Sequence, residues 1–390
     1  MIPLIKYSFT HESEMKKKLA DFILRTDIFS MSEQCQLFES EFAKYHNSKH
    51  AVLFNSGGSA NLAMLQTLLN LNLIKKNSRV GFSAITWSTN VMPIIQLGLI
   101  PVPLELDINT LNISMSNLEG NLRDQKIDVL FITNALGFAA ELDKVDDICK
   151  NNNINLLEDN CESLGSRIGN KLTGTFGLMG SCSFYVAHHM STIEGGMVLT
   201  DDDEIREMLT LVRANGWTRN ASAEYKKSKR ELHSISSSFD EKYTFYDLGY
   251  NLRPTEITGF LGNQQLKYLD ELVLKREENY KYVANFCSEN DEIITFKVPY
   301  LSTISSFALP FIFKNKKMCE KYKKRFLTAE IEIRPIISGN MVNQPFFKKY
   351  VDTSYNFPVS DHISECGFYC GNYPELSKSE LDQILGCLTP

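Results

Sequence analysis

The chain has 390 residues, 43% of them hydrophobic, and its 41 Lys and Arg against 47 Asp and Glu leave a formal charge of −6. That apolar content excludes a disordered chain, and the length suits two domains or one large domain with a smaller appendage. The acidic balance argues against a general nucleic-acid binder, whose phosphate contacts need a basic surface.

Through the first two thirds, short apolar runs alternate with amphipathic stretches, the pattern of an α/β domain with a largely parallel sheet. Strands are expected over 51–55, 80–83, 100–105, 129–133, 155–158, 181–186 and 197–200. Between them, helices are expected over 60–71, where Leu62, Leu65, Leu68 and Leu69 share a face, over 144–151, and over 203–213, where preceding acids suit a helix start. The polar stretch 220–242, rich in Ser, Lys and Glu, breaks the pattern and reads as a long loop. After Gly249 the composition shifts to a long amphipathic stretch over 254–286, a strand over 307–313 and helices near 319–329 and 379–387. The expected division is a large domain over 1–248 and a small α+β domain over 249–390. The most apolar window, 91–106, holds Pro93, Pro101 and Pro103, so no membrane span is expected. The opening residues carry no secretory pattern, which makes the cytoplasm the expected compartment.

Four stretches carry chemistry. Asn55-Ser56-Gly57-Gly58-Ser59-Ala60-Asn61 joins a strand to a helix, so it is either a plain βα turn or an anion cradle on a helix N-terminus. Trp87, in Ala84-Ile85-Thr86-Trp87-Ser88-Thr89-Asn90, follows the next strand, where open α/β sheets bind ligands; it is a packing residue or a face for a ring to stack on. In Leu156-Leu157-Glu158-Asp159-Asn160-Cys161-Glu162-Ser163 an apolar strand runs into acids, whose desolvation needs a metal, a cationic ligand nitrogen or a helix cap. Last, His188 and His189 follow a strand, ahead of Thr192, Glu194, Gly195 and Gly196. Neighbours on an extended segment face opposite ways, so the two rarely share one metal ion.

These four elements, in this order and spacing, resemble the sugar aminotransferase family of pyridoxal-phosphate enzymes. Phe38-Glu39-Ser40-Glu41-Phe42-Ala43 and Tyr250-Asn251-Leu252-Arg253-Pro254 extend the resemblance over nearly the whole chain. It implies the type I aminotransferase fold, α/β with a mostly parallel sheet flanked by helices and a smaller α+β C-terminal domain. It also implies roles: Gly58 and Ser59, helped by Ser183, for the cofactor phosphate; Trp87 for the pyridine ring; Asp159 for its protonated nitrogen; Glu162 near its hydroxyl. Asn251 would reach the phosphate in a neighbouring subunit, which implies a homodimer with the active site at its interface.

One residue departs from the aminotransferase pattern. Where those enzymes carry Lys, this chain has His188, and no lysine occurs from Leu172 to Tyr225. An imidazole is not a primary amine and cannot tether the cofactor or reclaim it, yet it moves protons at neutral pH. Elimination, with release by water, suits that site. The replacement resembles the 3-dehydratase branch of the family, as do Glu158-Asp159-Asn160-Cys161-Glu162-Ser163, Gly174-Thr175-Phe176-Gly177-Leu178-Met179-Gly180 and Gly216-Trp217-Thr218-Arg219-Asn220. The implied activity uses pyridoxal and pyridoxamine phosphate and L-glutamate to remove the C3 hydroxyl of a nucleotide-linked 4-keto-6-deoxy sugar, releasing ammonia, in dideoxysugar (colitose-type O-antigen) biosynthesis.

The resemblance favours a GDP sugar. A CDP sugar, a heptose, or a nucleotide-sugar aminotransferase using a lysine from elsewhere are the alternatives. Arg219 is expected at the nucleotide diphosphate, Arg253 and Arg334 at glutamate or sugar, and His189 in a structural or substrate-facing role. Another dehydratase branch holds a [2Fe–2S] cluster on clustered cysteines. Here the nine cysteines include no CxxC, and Cys366 and Cys370 are the tightest pair, so neither a cluster nor another metal is expected.

Overall fold

Seven strands form the central sheet: β1 (His50–Phe54), β2 (Arg79–Ser83), β3 (Ile100–Leu104), β4 (Val129–Thr133), β5 (Asn155–Asp159), β6 (Met179–Ser183) and β7 (Gly196–Thr200). The computed structural model describes residues 1–124 and 126–390. The strands lie in the order β1-β7-β6-β5-β4-β2-β3, and only β7 runs against its neighbours. Every residue of β4 and β6 is buried, as expected of strands covered on both faces. Helix Gly57–Asn70 packs its Ala60, Ala63, Met64 and Leu68 on one face with Val52, Phe82 and Val129. Phe138, Leu142 and Val145 belong to a second apolar cluster, with Leu130 and Ile132.

A second, three-stranded antiparallel sheet has the order β8 (Ala308–Ile312), β10 (Gly367–Gly371), β9 (Ile333–Arg334). Its core of Phe311, Tyr322, Phe326 and Phe368 also takes in Ile2, whose backbone bridges to Ile331. Helix Glu256–Gln265 packs on helix Glu33–His46. Gly259 makes this possible, because a Cβ there would lie 2.4 Å from the Cys35 amide nitrogen. Ser32, ahead of helix Glu33–His46, makes no side-chain cap. The buried Glu256 carboxylate caps that helix instead, accepting from the N–H groups of Ser32, Gln34 and Cys35 at 2.6, 2.8 and 3.1 Å.

Two expectations need correction. The stretch 220–242 is not one loop: helices Ala223–Leu232 and Ser238–Glu241 occupy it. The first is capped by Ser222 and ends on Lys229 and Arg230, but buries no residue, so no apolar period announces it. The sixth strand is Met179–Ser183, not 181–186. It runs through Gly180, where a Cβ would strike the Gly174 carbonyl, and the chain then turns so that Phe184 packs with Phe38 and Phe42. The amphipathic stretch 254–286 is two helices, Glu256–Gln265 and Leu269–Cys287, separated by a 3₁₀ turn over Leu266–Tyr268.

Candidate active site

A cleft of about 450 Å³ opens at the carboxyl ends of β1, β2, β5 and β6. β1 delivers Asn55 and Ser56, and Ser56 caps helix Gly57–Asn70 by accepting from the Ser59 N–H at 3.1 Å. Gly57 and Gly58 line the cleft on that helix's first turn. Close packing requires both: a Cβ on Gly57 would sit 2.7 Å from the Ser183 Cβ, and one on Gly58 2.9 Å from the Thr89 methyl. Trp87 stands just before helix Ser88–Gln96 with 54% of its surface bare, facing the cleft rather than the core.

Asp159, the last residue of β5, is 4% exposed and lines the cleft. Its carboxylate accepts from Asn61 Nδ2 at 3.0 Å and from the Cys161 N–H at 2.9 Å. Asn61 is itself held by the Ser181 hydroxyl at 2.6 Å. No cation of the chain neutralises Asp159 among the described residues. Glu158, one step earlier, points away from the cleft and is wholly buried. It accepts from the N–H groups of Gly174, Phe176 and Gly177 and from Asn134 Nδ2, so it anchors the 174–177 turn. Glu162 accepts from the Leu136 N–H at 3.1 Å, and burial, aided by the Asp159 charge, raises its pKa to about 7.

His188 lies on the turn after β6. Its Nδ1 is 2.9 Å from the Cys161 carbonyl oxygen, which can only accept. The ring proton therefore sits on Nδ1 and leaves Nε2 a bare base. Burial pushes its pKa down to about 4, so the imidazole is neutral at physiological pH. Phe307 and Tyr369, from the second sheet's region, close the cleft, and the Phe307 ring lies 5.2 Å from that of His188. Two β-branched residues with positive φ stand at the rim, Ile337 on the lining and Ile193 beside the lining residue Glu194. Such backbone costs about 1–3 kcal/mol each and gathers at functional sites.

The cleft thus brings together Gly58, Trp87, Asp159, Glu162, Ser183 and His188. Ser59 is outside its lining, with its N–H and hydroxyl engaged by Ser56, while Ser56 and Gly57 are on the lining. His189 is buried behind the cleft with Nε2 donating to the Ser305 carbonyl at 2.9 Å. Arg219, exposed, lies over the Trp217 ring at 5.5 Å. Asn251 and Arg253 are exposed and outside the lining, and Arg334 pairs with Glu332 at 2.5 Å. Sequence reasoning passed over Phe307 and Tyr369, which lie far along the chain, and Cys161, which contributes a backbone oxygen that no side-chain pattern reveals. Asn61 was within a quoted motif, and its amide at the start of the helix was the available signal.

Residues 10–389 match the DegT/DnrJ/EryC1/StrS aminotransferase family, and the chain belongs to it. A relative 34% identical over 383 residues, 95% of this chain and 96% of its own length, is the GDP-4-keto-6-deoxy-D-mannose 3-dehydratase of Escherichia coli O55:H7. Two solved structures of GDP-4-keto-6-deoxymannose-3-dehydratase cover both chains in full. One holds a trapped PLP–glutamate geminal diamine (TM-score 0.90, 32% identity), and the other is a mutant with bound GDP-perosamine (TM-score 0.91, 31% identity).

The residues present fit pyridoxal phosphate. A nearly buried carboxylate without a cationic partner suits a protonated ring nitrogen, the bare Trp87 face suits a flat ring, and the tight Gly57–Ser183 approach leaves backbone N–H groups for a phosphate. Among the described residues, no lysine lines the cleft.

Proposed function

We propose that the protein is a pyridoxal-phosphate-dependent 3-dehydratase that removes the C3 hydroxyl of a nucleotide-linked 4-keto-6-deoxy sugar, with GDP-4-keto-6-deoxy-D-mannose as substrate and L-glutamate as amino donor. The observation that carries this reading is His188 in the cleft, its Nδ1 fixed by the Cys161 carbonyl, with no lysine on the cleft wall. When bound, the cofactor supplies an amino group for the sugar ketone and an electron sink for elimination.

Asp159 keeps a proton on the ring nitrogen by charge, and Asn61 and the Cys161 N–H hold its carboxylate in place. Trp87 orients the ring, while Ser56, Gly57, Gly58 and Ser183 bind the phosphate. His188 Nε2 accepts the proton released as the C3 bond weakens, and the resulting imidazolium returns it to the departing hydroxyl. Without a lysine to reclaim the nitrogen, water completes the cycle and ammonia leaves. Arg219, with no carboxylate partner among the described residues, binds the diphosphate, and Arg253 binds the glutamate or sugar.

The reading includes a homodimer. Tyr243, Phe245 and Leu248, each more than half exposed, support it as an apolar face on the surface, and the exposed Asn251 is available to the partner's phosphate site. Nine free thiols, most of them buried, support a reducing cytoplasm.

Incubation with pyridoxal phosphate, L-glutamate and GDP-4-keto-6-deoxymannose, followed by mass spectrometry, tests the function. The expected product is lighter by one oxygen and accompanied by ammonia; a stable amino sugar would mean aminotransfer and overturn the reading.

A further inference from the structure

Behind the cleft, side chains hold four of the six backbone polar groups of Ser305-Ser306-Phe307. Ser305 and Ser306 are fully buried. The Ser305 N–H donates to Ser166 Oγ at 3.0 Å, and its carbonyl accepts from His189 Nε2 at 2.9 Å. The Ser306 carbonyl accepts from Asn372 Nδ2 at 2.9 Å. The Phe307 carbonyl accepts from Arg276 Nη1 at 2.9 Å, and its N–H donates to the Leu136 carbonyl at 3.2 Å. Arg276 also bonds the Asn372 carbonyl, so the donors brace one another. Gly137 lets this segment lie close, since a Cβ there would come within 2.5 Å of the Ser305 oxygen.

His189, Arg276 and Asn372 are each 5% exposed or less. Among the described residues the Arg276 guanidinium makes no direct ion pair, and only the charge of Glu375 favours its protonated form. Burying a cation on carbonyl groups, with only the nearby Glu375 charge to offset its desolvation, is costly and needs a return. What the assembly presents to the cleft is the Phe307 ring, 5.2 Å from the His188 ring.

We propose that His189, with Arg276 and Asn372, is a positioning residue: it clamps Ser305–Phe307 so that the Phe307 ring walls the His188 imidazole against the Cys161 carbonyl. The sequence-based alternatives for His189, structural or substrate-facing, thereby narrow to a role exerted through Phe307. This rests on the proposed function only in taking His188 as the proton carrier.

The wall has an electrostatic consequence. A ring on one side of the imidazole removes water and favours the neutral form. The other titratable groups lining the same spaces as His188 are Asp159, Cys161, Glu162, Glu194, Tyr185 and Tyr369 in the cleft and Tyr7, Arg276, His189, Tyr373 and Glu375 behind it. Of these, the Asp159 charge favours the protonated ring and the Arg276 charge opposes it. Changing Arg276 would therefore shift His188 directly, so the informative variants are neutral ones.

The test is the NMR titration of His188 in the full-length chain with ¹³C-labelled histidine, assigned by loss of the signal in His188→Asn. The unaltered chain should titrate near pH 4. His189→Leu, which removes the Ser305 bond, should raise the midpoint by about one pH unit or more toward the ordinary histidine value. His189→Gln, whose Nε2 can reach the same carbonyl, should restore it. Should His189→Leu fail to fold, Phe307→Ala removes the wall alone and should give the same rise. An unchanged midpoint in Phe307→Ala, or in a folded His189→Leu, overturns the proposal. Because the readout is a proton on His188 and not turnover, failure of the clamp and failure of the dehydratase reading are distinguishable.

Discussion

At the scale of single residues, protonation decides what the cleft can do. The Cys161 carbonyl dictates the His188 tautomer, and burial keeps the ring neutral, so Nε2 is a ready base above about pH 4. The acid limb of kcat is expected near that value and not near 6.5. His188→Asn should lower turnover by about 10²–10⁴ while the bound cofactor's absorbance persists; retained turnover would remove His188 from the mechanism. Glu162 has the opposite sign. Its folded pKa of about 7 lies above the ordinary carboxyl value of 4.5, so its contribution to stability is present at low pH and lost as pH rises through 7. Glu162→Gln fixes the uncharged form and should raise stability by about 1–2 kcal/mol at pH 8 after allowance for partial exposure, and by little at pH 5. Urea midpoints at both pH values check this. That Asp159 and His188 would stand out could be read from the chain alone, because an acid after an apolar strand and a histidine where the resembling enzymes carry lysine are visible in one dimension, and both line the cleft. The Cys161 oxygen and the Phe307 ring could not, since their roles exist only once distant segments meet.

At the scale of elements, legibility followed burial. Six of the seven strands of the central sheet were expected within a residue, because a strand covered on both faces writes a continuous apolar run between turns. Helix Ala223–Leu232 buries nothing and wrote no such signal; only its Ser222 cap and terminal cations marked it. β6 was misplaced because Phe184, Tyr185 and Val186 look like strand while the glycines before them look like loop. The cap of helix Glu33–His46 also escaped, for its carboxylate comes from Glu256, more than 200 residues away. Glu256→Ala would leave three backbone donors without that acceptor and should cost about 2–4 kcal/mol, measured by denaturant unfolding. A cost under 0.5 kcal/mol would show that Ser32 or water takes over the cap.

At the scale of the whole molecule, the first residues tie the two sheets together. Ile2 joins the core of the small sheet, while Ile5, Tyr7 and Phe9 border the space behind His188 and Arg276. The 220–248 region carries Tyr243 and Phe245 on the surface. A Tyr243→Glu, Phe245→Glu double variant is expected to convert a particle of twice 44.4 kDa into one of 44.4 kDa in sedimentation. A monomer before any substitution would remove the homodimer from the proposed function.

The bare face of Trp87 has a practical consequence. The chain has two tryptophans, and the other, Trp217, stacks on Tyr243 and lies under Arg219, outside the cleft lining. A Trp217→Phe variant would leave one indole emitter on the cleft wall. Its fluorescence would then report, without label or coupled assay, how full the cleft is: a heteroaromatic ring laid on that indole should quench it, and the depth of quenching against added pyridoxal phosphate would read out occupancy directly.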